Sequence, residues 1–241
     1  AATIDSVDIA DFGLYYIVST YGLSPGNPPV PAIRTYFKDL TAISYPFVVA
    51  LQSTLPTIGT VCNYQGQLVG ANVVNSTGGL WSDLSSDGIL WSGIGNFDLD
   101  PSHDFTAGFM KGQFSTPIGA VPTIYKLMPM WSRYLPGVIV YSDAGRFLMT
   151  PEQTQTGFTY GIKPLGGFGI TSGNHVAGDQ FIHGFIDTHR DFWIIESPHF
   201  SSPPEGNYKK LGYRSYIQEL FDFTSTEDHR VIVTYVPKNK R

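Results

Sequence analysis

The feature that most restricts this chain is a succession of short β-prone runs, each closed by a turn. Thr60-Val61-Cys62-Asn63-Tyr64 and Gln67-Leu68-Val69-Gly70-Ala71-Asn72-Val73 flank Gln65-Gly66. Leu80-Trp81-Ser82 and Ile89-Leu90-Trp91-Ser92 flank a loop ending in Asp87-Gly88, a strong hairpin dipeptide. Val138 to Ser142 and Arg146 to Met149 flank Asp143-Ala144-Gly145, and Gln180 to Ile186 and Asp191 to Ile195 flank Thr188-His189-Arg190. Phe47 to Leu51 and Arg230 to Tyr235 read as further strands. Runs this short, at this spacing, predict antiparallel hairpins.

Composition narrows the class. Charged residues make up 15% of the chain and aromatics 14%, with 26 Gly and 17 Pro. A helical bundle or coiled coil does not carry so many turn formers, and disorder requires few aromatics and a high net charge. Pro, Gly, Gln and Ser interrupt the uncharged stretches, so no segment offers the ~20 apolar residues of a membrane span. Ala1 to Ala10 holds acidic and no basic residues, unlike a secretory signal. The expectation is a soluble, mainly β protein. The single cysteine, Cys62, excludes an internal disulfide and reads as a buried thiol.

Charge is uneven. Residues 1–208 hold 8 basic and 16 acidic side chains, whereas residues 209–241 hold 7 basic and 4 acidic. A duplex-DNA binder ordinarily has a strong basic excess. If there is a phosphate-facing or partner-facing surface, its candidates are Lys209, Lys210, Arg214, Lys238, Lys240 and Arg241.

Two domains are expected, an extended arm over 1–45 and a β domain over 46–241. The arm has one strand-like run, Leu14 to Val18, and a Pro-rich run from Ser24 to Pro31. Pro25, Pro28, Pro29 and Pro31 lack N–H donors and fix φ, so this run reads as a linker or a segment docking on a neighbouring subunit. Ala32 to Ile43 reads as a short helix. Beyond residue 46, hairpins recurring at ~40–50 residues, about four short strands per unit, fit a β-propeller-like array of four-stranded antiparallel blades. A sandwich or jelly roll is the alternative. Tyr213, Tyr216, Ile217, Leu220 and Phe221 share one face at helical spacing, which predicts one short inserted helix.

Catalytic patterns are few. The chain has no phosphate-binding loop, and Gly93-Ile94-Gly95 lacks the third glycine of a dinucleotide fingerprint. His175, His183 and His189 are close in sequence, but a hairpin turn separates the last two, so no metal site and no cofactor are expected. Asp83, Asp87, Asp98, Asp100, Asp104, Asp187 and Asp191 are the carboxylates a glycosidase could pair. Ser85 to Trp91 resembles a single, incomplete sialidase Asp-box. Asp at such positions more often bonds the backbone of its own turn. Trp81, Trp91, Trp131 and Trp193 serve as blade core or, in the alternative, stack on sugars.

The segments GGLWSDLSSDGILWSGIGNFDLDPS, VIVYSDAGRFLMT, GFIDTHRDFWIIE, LGYRSYIQELF and RVIVTYVPKNKR resemble tail nozzle, tail tubular and packaged-DNA stabilisation proteins of short-tailed bacteriophages. The likeness covers about residues 58–241 and rests on Ile89 to Asp98, Ile139 to Gly145 and Val231 to Tyr235. It implies a non-enzymatic virion protein that forms a ring, usually of six copies, around the DNA exit channel. The implied partners are other copies of itself, adjoining tail or portal-adaptor proteins and, transiently, double-stranded DNA; no membrane is implied. It also implies a chain running on past Arg241 into a further strand. A propeller-type glycan-binding protein or glycosidase, and a jelly-roll capsid or spike protein, are the alternatives.

Overall fold

A computed structural model describes residues 3–13, 15–24, 30–39, 48–49, 57–74, 84–95, 110–113, 121–131, 136–154, 157–196, 208–224 and 231–236. The protein is mainly β. Its strands are β1 (Thr3–Asp11), β2 (Tyr15–Ser24), β3 (Val30–Asp39), β4 (Val48–Val49), β5 (Thr57–Tyr64), β6 (Gln67–Val74), β7 (Gly88–Trp91), β8 (Met110–Gln113), β9 (Ile124–Met130), β10 (Gly137–Ser142), β11 (Arg146–Thr154), β12 (Gly157–Gly166), β13 (Val176–Gly178), β14 (Ile182–Ile186), β15 (Phe192–Glu196) and β16 (Tyr208–Leu211). One α-helix, α1 (Arg214–Thr224), stands among the described residues. The strands form four four-stranded sheets, β1-β2-β3-β4, β5-β6-β7-β8, β9-β10-β11-β12 and β13-β14-β15-β16. Each is a meander of neighbours in sequence. The chain divides into two compact units, Ala1–Leu127 and Met128–Arg241, with the division falling inside β9.

The turn residues account for the hairpins. Gln65 and Gly66 have φ of 52° and 79° between β5 and β6. Two successive left-handed residues make the type I′ geometry whose twist matches the strands it joins. Between β10 and β11, both the N–H and the hydroxyl of Ser142 donate to the Gly145 carbonyl, at 3.0 and 2.9 Å. In the β14–β15 turn, Asp187 Oδ1 accepts from the N–H groups of His189 and Asp191, and Arg190 takes φ 65°. Asp187, one of the candidate carboxylates, is therefore a turn residue, at the edge of the Thr188-His189-Arg190 turn.

Four expectations need correction. Residues 3–39 are not an irregular arm: β1 pairs with β2 and β2 with β3, the latter through ten ladder positions from Ser24↔Val30 to Tyr15↔Asp39. The helix expected over 32–43 is largely β3. Val30, Ile33, Thr35, Tyr36 and Phe37 suit a pleated strand, and a partner strand decides what local propensity leaves open. The strand that follows Asp87-Gly88 has its ladder positions filled by strands other than the expected one. Gly88 opens β7, whose two neighbours are β6 and β8; residues 80–82 themselves lie outside the described residues. Val231 to Tyr235 has no ladder partner among the described residues, although the Val233 N–H donates to the Asn174 carbonyl at 2.9 Å.

In the first unit Ala10, Ile17, Ile58, Val61, Leu68, Val73, Leu84 and Leu90 form the apolar core, with Phe12 packed against it. One carboxylate is buried beside it. Asp8 accepts from the Thr60 hydroxyl and from Lys126 Nζ, and Thr60 Oγ1 accepts from the Leu127 N–H. A buried carboxylate is tolerated when paired and hydrogen-bonded in this way. Burial, and secondarily Asp8, push the Cys62 thiol far above its usual range, so it stays a protonated core residue.

In the second unit Tyr141 is fully buried, 5.4 Å from the Phe185 ring, and its hydroxyl lies 3.0 Å from His183 Nδ1. His183 Nε2 lies 3.2 Å from the Pro129 carbonyl. A carbonyl only accepts, so the neutral ring donates from Nε2 and receives the tyrosine proton at Nδ1. Arg146 is also buried, with its guanidinium 4.7 Å from the Phe185 ring centre and 4.6 Å from that of Tyr208. Burial lowers the Arg146 pKa, and the two aromatic faces supply part of the lost solvation as cation–π attraction.

Burial pushes His183 down from 6.5 to about 4. The unfolded chain therefore takes up a proton near pH 6.5 that the folded state refuses until about pH 4. Stability should fall as the pH falls through that window, by about 3 kcal/mol in all. Urea unfolding of wild type and His183→Gln at several pH values should give two curves that converge on acidification. Parallel curves would refute the assignment.

Candidate interaction surface

The basic residues singled out in the sequence lie on β16 and at the start of α1. Lys210 Nζ is 2.7 Å from Asp191 Oδ2 and 5.7 Å from the Trp193 ring centre. Arg214 is 4.0 Å from the same carboxylate oxygen. Lys209 is exposed. The structure thus brings Lys210 and Arg214 together on Asp191, whereas Lys209, the preceding residue of β16, projects from the other face of the strand. β16 is the end strand of its sheet, and lysines on an end strand discourage edge-to-edge pairing. Lys238, Lys240 and Arg241 lie outside the described residues, as do Pro25, Pro28 and Pro29. Pro31 sits in β3 opposite Leu23.

The turn that holds Asp191 also seats the helix. Asp187 Oδ2 accepts from Trp193 Nε1 at 2.8 Å while its other oxygen binds the turn backbone. This geometry turns Arg190 so that its guanidinium lies 3.6 Å from the Phe221 ring centre on α1. His175 meets the same ring edge-on at 5.1 Å. Ile186, Ile217, Phe221 and Val231 close a small core there, with Phe192 and Val233 against it.

Only half of the apolar helical stripe is used. Ile217 and Phe221 are buried, but Tyr213, Tyr216 and Leu220 are 59, 63 and 38% exposed. These three border an apolar groove of about 530 Å³, whose other walls are Ile186, Phe192 and residues 231–234. Ile232, on that far wall, is 63% exposed. The sequence placed all five helical residues on one face; it did not show that the chain covers only one side of that face.

The charges of α1 run against its dipole. Arg214 opens the helix with no acidic residue in the first turn, and the last turn has no basic residue. Glu219 and Asp222 are exposed in its second half. A helix end of like sign costs about 0.3–1 kcal/mol per charge. This inversion is readable in the sequence.

Other candidates have structural partners. Asp87 accepts from the Ser85 hydroxyl in its turn, and Asp83, Asp98, Asp100 and Asp104 lie outside the described residues. His183 is internal, His175 packs on Phe221, and exposed His189 lies edge-on to Phe168 at 4.7 Å. No group of three His, Cys, Asp or Glu side chains fit to hold a metal occurs among the described residues. Trp91 is buried, Trp193 is tied to Asp187 and Trp131 is exposed; Trp81 is outside the described residues. Comparison with protein-family models and with curated proteins finds no match.

This division of labour on α1 is measurable. Phe221→Ala should destabilise the second unit by about 3–4 kcal/mol, because a buried aromatic is removed from beneath Arg190 and His175. Tyr216→Ala should change stability by less than about 0.5 kcal/mol. Chemical denaturation of both variants checks this, and equal losses would show that the exposed stripe is structural.

Proposed function

We propose that the chain is a non-enzymatic structural subunit of a short-tailed phage tail, a nozzle-type component forming a ring around the DNA exit channel. The observation that carries this reading is the run of consecutive four-stranded antiparallel meanders, starting at Thr3, Thr57, Ile124 and Val176. Sequential four-stranded sheets are the units from which propeller blades are built. The reading takes the four sheets as blades of a propeller-like array. Of the motifs through which the chain resembles the nozzle proteins, residues 89–95 of Ile89 to Asp98 fall on β7 with its exit, residues 96–98 lying outside the described residues, and Ile139 to Gly145 falls on the β10–β11 hairpin. In both cases the motif marks a strand and the turn that leaves it.

Charge supports a channel role over a DNA-gripping one. The formal net charge is −5, and Asp191 offsets one of the three positive charges of Lys209, Lys210 and Arg214. A surface presenting few free cations releases few counterions on meeting phosphate and so binds duplex weakly. DNA would slide past such a wall instead of sticking to it.

Projection images of the purified protein should contain rings of six or twelve copies with a central channel. A uniformly monomeric preparation would refute the ring. Duplex DNA should bind only at low salt, and Lys209→Glu with Lys210→Glu should remove that binding. Tight binding that survives ~0.2 M salt would contradict the channel account.

A further inference from the structure

We propose that Arg146 anchors a buried halide site in the second unit, with a chloride ion lying in the plane of its guanidinium against an N–H edge. The inference goes beyond the ring and does not depend on it. Arg146 opens β11, and the pairing of β11 with β12 slips there, from Arg146↔Gly166 to Phe147↔Pro164. An irregularity of this kind re-aims a side chain. Arg146 is only 5% exposed, and its guanidinium lies over the rings of Phe185 and Tyr208. Ring faces attract the charge, but they do not replace the oxygen acceptors that the N–H groups lose on leaving water. Nε and Nη1 are buried and have no acceptor among the described residues.

The carboxylate that acts on this charge is committed elsewhere. Asp187 attracts Arg146 through space, yet its Oδ1 accepts from the N–H groups of His189 and Asp191, and its Oδ2 from Trp193 Nε1. A guanidinium keeps its proton inside a protein, so the charge stays and these donors stay unmatched. A buried charge left without compensation is strongly destabilising. The ligand must therefore be negative, accept hydrogen bonds and be small, because the side chain is almost closed from solvent. Gly166 helps to keep the guanidinium rim clear, since a Cβ there would stand 2.6 Å from Nη2. A halide meets all three conditions, and as a sphere it needs no matching fork of oxygens. A phosphate ester or sugar acid is too bulky for so closed a position. Water accepts a hydrogen bond but brings no charge.

Chloride NMR linewidths of the full chain read the site directly. Titrating sodium chloride into the folded protein should give saturable broadening that disappears in urea. Urea unfolding, with chloride replacing gluconate at constant ionic strength, gives the linked measurement. Above the dissociation constant, the folded-to-unfolded ratio should rise about tenfold for each tenfold rise in chloride. Arg146→Met, of similar length and uncharged, should lose both responses. Arg146→Lys keeps the charge without the planar donor fork and should weaken both. Absence of saturable broadening in the folded wild type would overturn the inference and leave the N–H groups to water. So would a chloride response unchanged in Arg146→Met or, if that variant does not fold, unchanged in Arg146→Lys.

Discussion

Two strands without a solvent-facing residue, β7 and β10, set the terms for the units around them. A strand buried on both faces has no water to satisfy its backbone, so every N–H and C=O must find a ladder partner or a side chain. Both strands accordingly run between two neighbours in their sheets. Both also begin with glycine and end in an aromatic residue followed by serine, Trp91-Ser92 and Tyr141-Ser142. A Cβ on Gly137 would come within 2.4 Å of the Met149 carbonyl oxygen, so the strand entry admits no side chain. At the exits the serines take over the hydrogen bonding. Ser92 Oγ accepts from the Leu68 N–H and donates to the Gly93 carbonyl, while Ser142 closes onto Gly145.

Buried polar groups then do the positioning that apolar packing cannot. Hydrophobic contact is non-directional, whereas Asp8, Asp187 and His183 each accept or donate along defined directions. Asp8 joins β1 to β5 through Thr60 and to β9 through Lys126. His183 joins β14 to the Tyr141 hydroxyl on β10 and to the Pro129 carbonyl on β9. Asp187 fixes a turn whose Arg190 reaches the helix. The helix is thus held by its own buried side chains, Ile217 and Phe221, and by an Arg190 contact that a carboxylate orients through the turn.

Three hairpins, β5–β6, β10–β11 and β14–β15, were legible because their signals are local. Gln65-Gly66, Asp143-Ala144-Gly145 and Thr188-His189-Arg190 sit where the backbone reverses, and left-handed or tightly bonded residues are confined to such places. The first sheet was not legible for the opposite reason. Prolines from Pro25 to Pro31 suggested an arm, yet Ser24 and Val30 are ladder partners and Pro31 itself lies in the ladder opposite Leu23. A proline between two strands is compatible with a connection as well as with a linker, and only the pairing of distant residues distinguishes them. Residues 231–236 failed in the other direction, since β-branched composition is necessary for a strand but supplies no partner.

The sequence by itself determined the β class, the β5–β6, β10–β11 and β14–β15 hairpins, the helix and the acidic balance of residues 1–208, because each depends on residue type or on spacing over a few positions. Tertiary structure alone decided which of those features face inward. It buried Ile217 and Phe221 and left Tyr213, Tyr216 and Leu220 open, although all five share one stripe. It also turned Lys210 from a free cation into the partner of Asp191, nineteen residues away. Burial and ion pairing are set by what lies across a gap in space, and helical or strand periodicity specifies a direction without specifying what stands there.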